Sequence, residues 1–209
     1  MISKGRVLSL RKIKNANFLT KNKALFIMLL IFAAGIFISC ITYSAKRPLL
    51  NWEKIFTALY LKRTGAGFLK LLGLSILTYF SVLVIFFVTG TSIIGVAAVP
   101  LVLFMLGFIN GGIMSYLYSG FALKGIAFNA IIILPPAVIF FVACFFAAKS
   151  AFEFSLLLSR LTLTRTGAGG HILDFKDYCA KFLLLLLVII ITSLVDAGIS
   201  GMFIKFFKF

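Results

Sequence analysis

Groups that perform chemistry are scarce in this chain. Its 209 residues include 5 acidic side chains and 1 histidine. The single His171 excludes zinc motifs that need two histidines, such as HExxH, and no GxSxG sequence supplies a nucleophilic serine. No two carboxylates share a helix face inside an apolar run, so general acid–base and di-metal chemistry lack their groups. We therefore expect neither enzyme activity nor a cofactor, and a Ser92–His171 dyad, as in an intramembrane protease, is the remaining catalytic alternative.

Cysteine is also rare. The chain has three cysteines, Cys40, Cys144 and Cys179, which form no CxxC motif and leave an odd count for disulfide pairing. Two of them lie in apolar stretches. We interpret them as small buried hydrophobic residues rather than as a disulfide framework or a metal site.

Charged residues make up only 12% of the chain, whereas 62% is hydrophobic and the mean hydropathy is +1.16. Soluble domains are about half apolar and about one quarter charged, and a chain this apolar does not stay solvated as a disordered segment. The sequence instead predicts an all-α, polytopic integral membrane helical bundle of about five transmembrane helices. The predicted spans are Ala24–Tyr43, Phe68–Thr89, Ile93–Tyr118, Gly125–Ala148 and Phe182–Ser200.

The few charges are mostly positive, with 21 Lys and Arg against 5 acids and a net charge of +16. The basic residues lie between apolar runs, where anionic lipid head groups rather than nucleic acid are the expected partners. Residues 1–23 are a basic leader without any acid, directly before the first span. The positive-inside rule therefore predicts a multi-pass protein of the cell membrane with a cytoplasmic N-terminus, and residues 24–209 form a single transmembrane domain.

A ridge of small residues runs along the third predicted span. Gly107, Gly111, Ser115 and Ser119 recur at every fourth position. Such faces let helix backbones approach closely in lipid, where the hydrophobic drive between helices is weak. We expect this ridge to pack inside the bundle, with a homo-oligomer interface as the alternative.

Polar residues inside the apolar runs are the other candidates for function. Asn110 and Asn129 are expected to hydrogen-bond between helices, because an unpaired amide in hydrocarbon is costly. Asp196 is the one carboxylate within an apolar run, which indicates a functional site or a structural pair. Pro135 and Pro136 remove two backbone donors and are predicted to break the fourth helix, as a kink or as the wall of a site.

Two segments outside the spans complete the candidates. The sequence Arg-Thr-Gly-Ala-Gly occurs at residues 63–67 and again at 165–169, which we interpret as flexible linkers, with a phosphate-binding nest or an internal duplication as alternatives. Residues 45–68 are mixed in character and suit the membrane interface. Trp52 and Tyr60 in this segment are the predicted docking residues for extracytoplasmic partners.

The order of several short motifs resembles the stage II sporulation protein M family. These motifs are Gly90–Gly95 (GTSIIG), Gly107–Gly112 (GFINGG), Gly120–Gly125 (GFALKG), the ILP sequence at 133–135 and Val195–Ser200 (VDAGIS). The resemblance covers roughly residues 68–205 and implies a polytopic membrane protein. It also implies a role in sporulation engulfment, in which the protein anchors and localises peptidoglycan hydrolases that cut the cell wall.

The sequence therefore predicts a non-enzymatic membrane scaffold. The rival hypothesis is a transporter or permease-like subunit, with a midplane pathway at Asn110, Asn129 and Asp196 beside the broken helix. A dry, packed interior favours the scaffold, and a water-accessible cavity that ends at these residues favours transport.

Overall fold

The computed structural model describes residues 23–45, 50–60, 63, 66–163 and 175–203, and every regular element in these ranges is a helix. The helices are α1 (Lys23–Ser44), α2 (Trp52–Leu59), α3 (Phe68–Gly90), α4 (Gly95–Phe128), a π-helical turn (Asn129–Ile133), α5 (Leu134–Leu163) and α6 (Phe175–Phe203). The basic leader up to residue 22, the second Arg-Thr-Gly-Ala-Gly copy and His171 lie outside the described residues.

In the described part of the chain, four helical segments are long and apolar enough to cross a membrane. They are Lys23–Ser44, Phe68–Gly90, Gly95–Thr162 and Phe175–Phe203. A helix satisfies its own backbone hydrogen bonds, which is why apolar runs of this length become helical in lipid. Over the described residues the structure thus confirms an all-helical fold, and the length and composition of these segments indicate a multi-pass membrane protein.

The longest of these segments folds back on itself at Ala122, where φ is 45° and ψ is −123°. The Ser155 hydroxyl donates a hydrogen bond to the Ser92 carbonyl over 2.6 Å. Residues so far apart would be separated by about 95 Å in one straight helix, at a rise of about 1.5 Å per residue. The chain therefore reverses near Ala122, and α5 runs antiparallel to the first part of α4.

Helices α1 and α4 pack through the small-residue ridge. A Cβ atom added at Gly107 would collide with the Phe32 carbonyl oxygen, and one added at Gly111 would lie 2.7 Å from the Ile36 carbonyl oxygen. The glycines therefore let the two backbones approach as closely as small-residue faces allow in membranes. Ser115 is half-buried and Ser119 is exposed, so the part of the ridge that packs against α1 is its glycine half.

Helices α3, α5 and α6 form the other half of the bundle. Phe86, Ala151 and Tyr178 are buried where the three meet, and the Tyr178 hydroxyl donates to the Phe87 carbonyl oxygen over 2.9 Å. The ring of Tyr178 also stacks on that of Phe154, with 4.5 Å between the centroids. This bonded aromatic cluster ties one end of α6 to α3 and α5.

The short helix α2 packs against α4 with its aromatic face. Trp52 is 3% exposed, and its ring lies 5.6 Å from that of Phe108. Phe56 is 1% exposed and contacts Phe128 edge-on. The structure corrects the expectation that Trp52 is a docking residue, because a side chain buried in the bundle presents no surface to a partner. Tyr60 is half-buried.

Pro135 and Pro136 lie in the first turn of α5, directly after the π-helical turn. Neither proline has an N–H group, so the carbonyls one turn earlier lose their usual α-helical donors. Irregular turns of this kind inside helices often accompany functional sites. Pro136 is buried and Pro135 half-buried, which places Pro136 toward the bundle interior.

Candidate functional site

Asp196 is the centre of the most polar cluster inside the bundle. Its side chain is 1% exposed. Its Oδ2 atom accepts hydrogen bonds from Arg63 Nη1 at 2.7 Å, Ser75 Oγ at 2.7 Å and Tyr79 OH at 3.1 Å. Its Oδ1 atom accepts one from Ser200 Oγ at 3.3 Å. Both carboxylate oxygens are therefore satisfied by protein donors.

Helical spacing brings these donors together. Ser75 and Tyr79 are four residues apart on α3, so they share a face, and Asp196 and Ser200 share a face of α6 in the same way. The two faces meet because α3 and α6 pack side by side. Arg63 reaches the same point from the segment that precedes α3.

A tight turn holds Arg63 over the bundle. Its N–H donates to the Tyr60 carbonyl at 3.1 Å, and its own carbonyl accepts from the N–H of Ala66 at 3.2 Å. The guanidinium carbon lies 5.5 Å from the centre of the Tyr60 ring, in cation–π range. Burial raises the pKa of Tyr60 to about 12, and the Asp196 carboxylate acts in the same direction, so this hydroxyl stays protonated near neutral pH.

The ion pair between Arg63 and Asp196 is electrically neutral and almost fully buried, with 6% and 1% of the two side chains exposed. Burying either charge alone is expensive, and the pair persists only because each partner compensates the other and hydroxyl groups complete the carboxylate. We call Asp196 and its four donors the latch, because they tie the segment before α3 to the C-terminal part of α6.

A cavity of about 200 Å³ adjoins the latch. Its polar lining includes Tyr60, Arg63, Tyr79, Asn110 and Asp196, and Pro136 forms part of its wall. The structure thus brings together four of the residues that the sequence singled out, which are Tyr60, Asn110, Pro136 and Asp196. Most of the remaining lining is aliphatic or aromatic, from helices α3, α4 and α5.

Only Asn129 makes the expected hydrogen bond between helices. Asn110 donates from Nδ2 to the Leu106 carbonyl at 2.8 Å, one turn earlier in its own helix. Asn129 lies apart from the cavity and donates to the hydroxyl of Tyr118 across the chain reversal. Within the described part of the chain, its buried Oδ1 atom has no hydrogen-bond partner.

The described residues do not test the Ser92–His171 dyad. Ser92 is at the α3–α4 turn, where its Oγ accepts from the Ile94 N–H at 3.3 Å. His171 is outside the described residues. Among residues 23–45, 50–60, 63, 66–163 and 175–203, no three His, Cys, Asp or Glu side chains form a group that could hold a metal ion.

Sequence reasoning missed the donors Ser75 and Tyr79 and, above all, Arg63. Arg63 was interpreted as part of a flexible linker, yet it is 5% exposed and paired. The available signal was Asp196 itself, since a carboxylate inside an apolar run requires a cationic partner. Arg63 lies just before α3, the helix that packs beside α6.

The fold and the latch define a multi-pass helical membrane protein whose buried Arg–Asp pair is enclosed by hydroxyl donors. Comparison with protein-family models, with curated proteins and with solved structures gives no match for the chain. The functional argument therefore rests on the residues themselves.

Proposed function

We propose that the chain crosses the membrane five times, with a cytoplasmic N-terminus. The reversal at Ala122 supports this count, because it divides Gly95–Thr162 into two antiparallel halves that are each long enough to span. The basic leader supports the orientation. In this topology α2 and Arg63 lie on the outer side. The π-helical turn and the two prolines then break the fourth span in its outer half.

We propose that the protein is a non-enzymatic scaffold of the cell membrane. The observation that carries this proposal is the latch: Asp196, the one carboxylate within an apolar run, accepts hydrogen bonds from α3, α6 and the outer segment. A group held in this way fixes an architecture. Its oxygens are bonded to donors of the protein itself rather than presented to a substrate.

The partners proposed for this scaffold are extracytoplasmic peptidoglycan hydrolases. The motif order that resembles the stage II sporulation protein M family supports this choice, together with a role in engulfment during sporulation. The latch adds a physical reason, because it holds the outer segment in one position and so presents a preformed surface, which lowers the entropic cost of docking.

The exposed face of α2 is the proposed docking surface. Glu53, Lys54 and Ala58 are exposed on this helix, opposite the buried Trp52 and Phe56. The aromatic residues then anchor the helix while the opposite face meets the partner.

Photo-crosslinking tests this surface. A photo-reactive amino acid is placed at position 54 or 58, and at position 176 as a control on an exposed site of α6, near the opposite end of the bundle. We expect a wall hydrolase to be crosslinked from 54 and 58 but not from 176, and the purified hydrolase to bind the reconstituted protein. Equal crosslinking from all three positions, or none to a hydrolase, would contradict the docking proposal.

Transport is the second candidate, and the cavity favours it. Asn110, Asp196 and Pro136 line one space beside the π-helical turn, as the discontinuous helices of carriers do. Proteoliposomes that carry the protein should then show solute or ion flux, and Asn110→Leu should reduce it without lowering the melting temperature. Flux equal to that of empty liposomes would remove this candidate.

A further inference from the structure

A groove between α5 and α6 carries charged side chains at the edge of both apolar segments. Lys149 directly follows the apolar run that ends at Ala148, and Lys181 directly precedes the run that begins at Phe182. Two depressions of about 350 Å³ and about 210 Å³ share Lys181, Ser150 and Glu153, so they form one continuous groove. The two lysines therefore lie together at the depth where lipid phosphates are expected.

The groove is apolar on the membrane side of the lysines. Its lining there is Phe146, Leu184, Leu185 and Val188. The stacked rings of Phe154 and Tyr178 fix the antiparallel register of the two helices. In that register these apolar side chains lie closer to the bilayer centre than either lysine does.

Carboxylates follow on the other side of the lysines. Glu153 on α5 and Asp177 on α6 line the smaller of the two depressions. Each lies four residues beyond the lysine of its own helix, which is about 6 Å along the axis at a rise of about 1.5 Å per residue. From the bilayer centre toward this end of the bundle, the groove thus presents apolar, then positive and then negative groups.

The charges are available to a ligand. Lys149 and Glu153 are 3.9 Å apart, with 27% and 54% of their side chains exposed, so their mutual attraction is weak. Lys181 makes no ion pair with any described residue. Ser150 lines both depressions and adds a hydroxyl group to the groove.

We propose that this groove is a binding site for a phospholipid with a primary ammonium head group, of the phosphatidylethanolamine class. The phosphate lies at Lys149 and Lys181, the ammonium donates to Glu153 and Asp177, and an acyl chain follows the apolar lining. A phosphatidylglycerol head group meets the two carboxylates without a cation to satisfy them. A choline head group has the positive charge but no N–H donor.

Native mass spectrometry of the full-length protein in detergent tests the site. The probes are phosphatidylethanolamine, phosphatidylglycerol and phosphatidylcholine with identical acyl chains, offered together in equal amounts. We expect phosphatidylethanolamine adducts to dominate. The double variant Lys149→Ala/Lys181→Ala should weaken this binding by about tenfold or more, because both phosphate contacts are lost.

Variants of the two carboxylates give the more specific test of the head-group preference. Glu153→Gln/Asp177→Asn should abolish the preference for phosphatidylethanolamine over phosphatidylglycerol while binding of the phosphate persists. The matched control is Glu53→Gln/Lys124→Ala, which changes exposed charges away from the groove and should leave the adduct pattern unaltered. Stronger binding of phosphatidylglycerol to the unaltered protein, or identical patterns for all variants at unchanged melting temperature, would overturn the proposal.

Discussion

The Arg63–Asp196 latch makes a quantitative prediction about stability. Asp196→Asn keeps the shape and the acceptor for Ser75 and Tyr79 but leaves the Arg63 guanidinium buried without a counter-charge. Removing one partner of a buried ion pair costs about 3–5 kcal/mol. Arg63→Met leaves the buried Asp196 carboxylate without a counter-charge and should lower the free energy of unfolding by a similar amount.

The double variant distinguishes a latch from two independent contacts. In Arg63→Met/Asp196→Asn no charge is left unpaired, so the cost should fall to about 1–2 kcal/mol, below that of either single variant. The measurement is the free energy of unfolding in mixed detergent micelles. Glu153→Gln, which removes the exposed partner of Lys149, is the matched control and should change stability by less than about 0.5 kcal/mol. Additive costs in the double variant would refute the reasoning.

Three further predictions concern the packing and the topology. Gly111→Val should separate α1 from α4 and lower the melting temperature, whereas Gly120→Ala, with open space at its Cβ position, should not; equal effects would contradict the close approach. Ala122→Gly should raise the free energy of unfolding by about 1 kcal/mol, because glycine adopts a φ of 45° without strain, and a loss of stability there would argue against the reversal at this residue. In a variant without native cysteines, a membrane-impermeant maleimide should label Lys54→Cys from outside intact cells but Lys176→Cys only after permeabilisation, and the reverse pattern would overturn the proposed orientation.

Much of the architecture was predictable from single residues and runs. The apolar runs at 24–43, 68–89 and 182–200 correspond to helices α1, α3 and α6. In lipid, a run of this length forms a helix because a helix pairs the backbone N–H and C=O groups within the segment. The glycines of the Gly107–Gly111 ridge were expected to pack, and they do so against α1. Asp196 was identified as the carboxylate whose burial within an apolar run is energetically costly.

The candidate site was only partly predictable. Sequence reasoning placed Asp196 in the interior but left Arg63 in a linker, since the two are 133 positions apart and nothing local relates them. Trp52 was expected at the surface because an aromatic residue near basic ones resembles an interfacial anchor, whereas the amphipathic helix α2 turns it into the bundle. Asn129 was grouped with Asn110 by residue type, although Asn129 bonds Tyr118 at the chain reversal and does not line the cavity beside Asn110.

Composition and the order of apolar and charged residues by themselves determined that this chain forms membrane-length helices, because solvation by lipid depends on local runs. Which polar groups meet was decided only by the tertiary structure. The neutrality of the Arg63–Asp196 pair, the cavity beside Asn110 and the order of charges between α5 and α6 all depend on contacts between different helices. Their registers follow from the packing of whole faces against one another, and no single segment of the sequence encodes them.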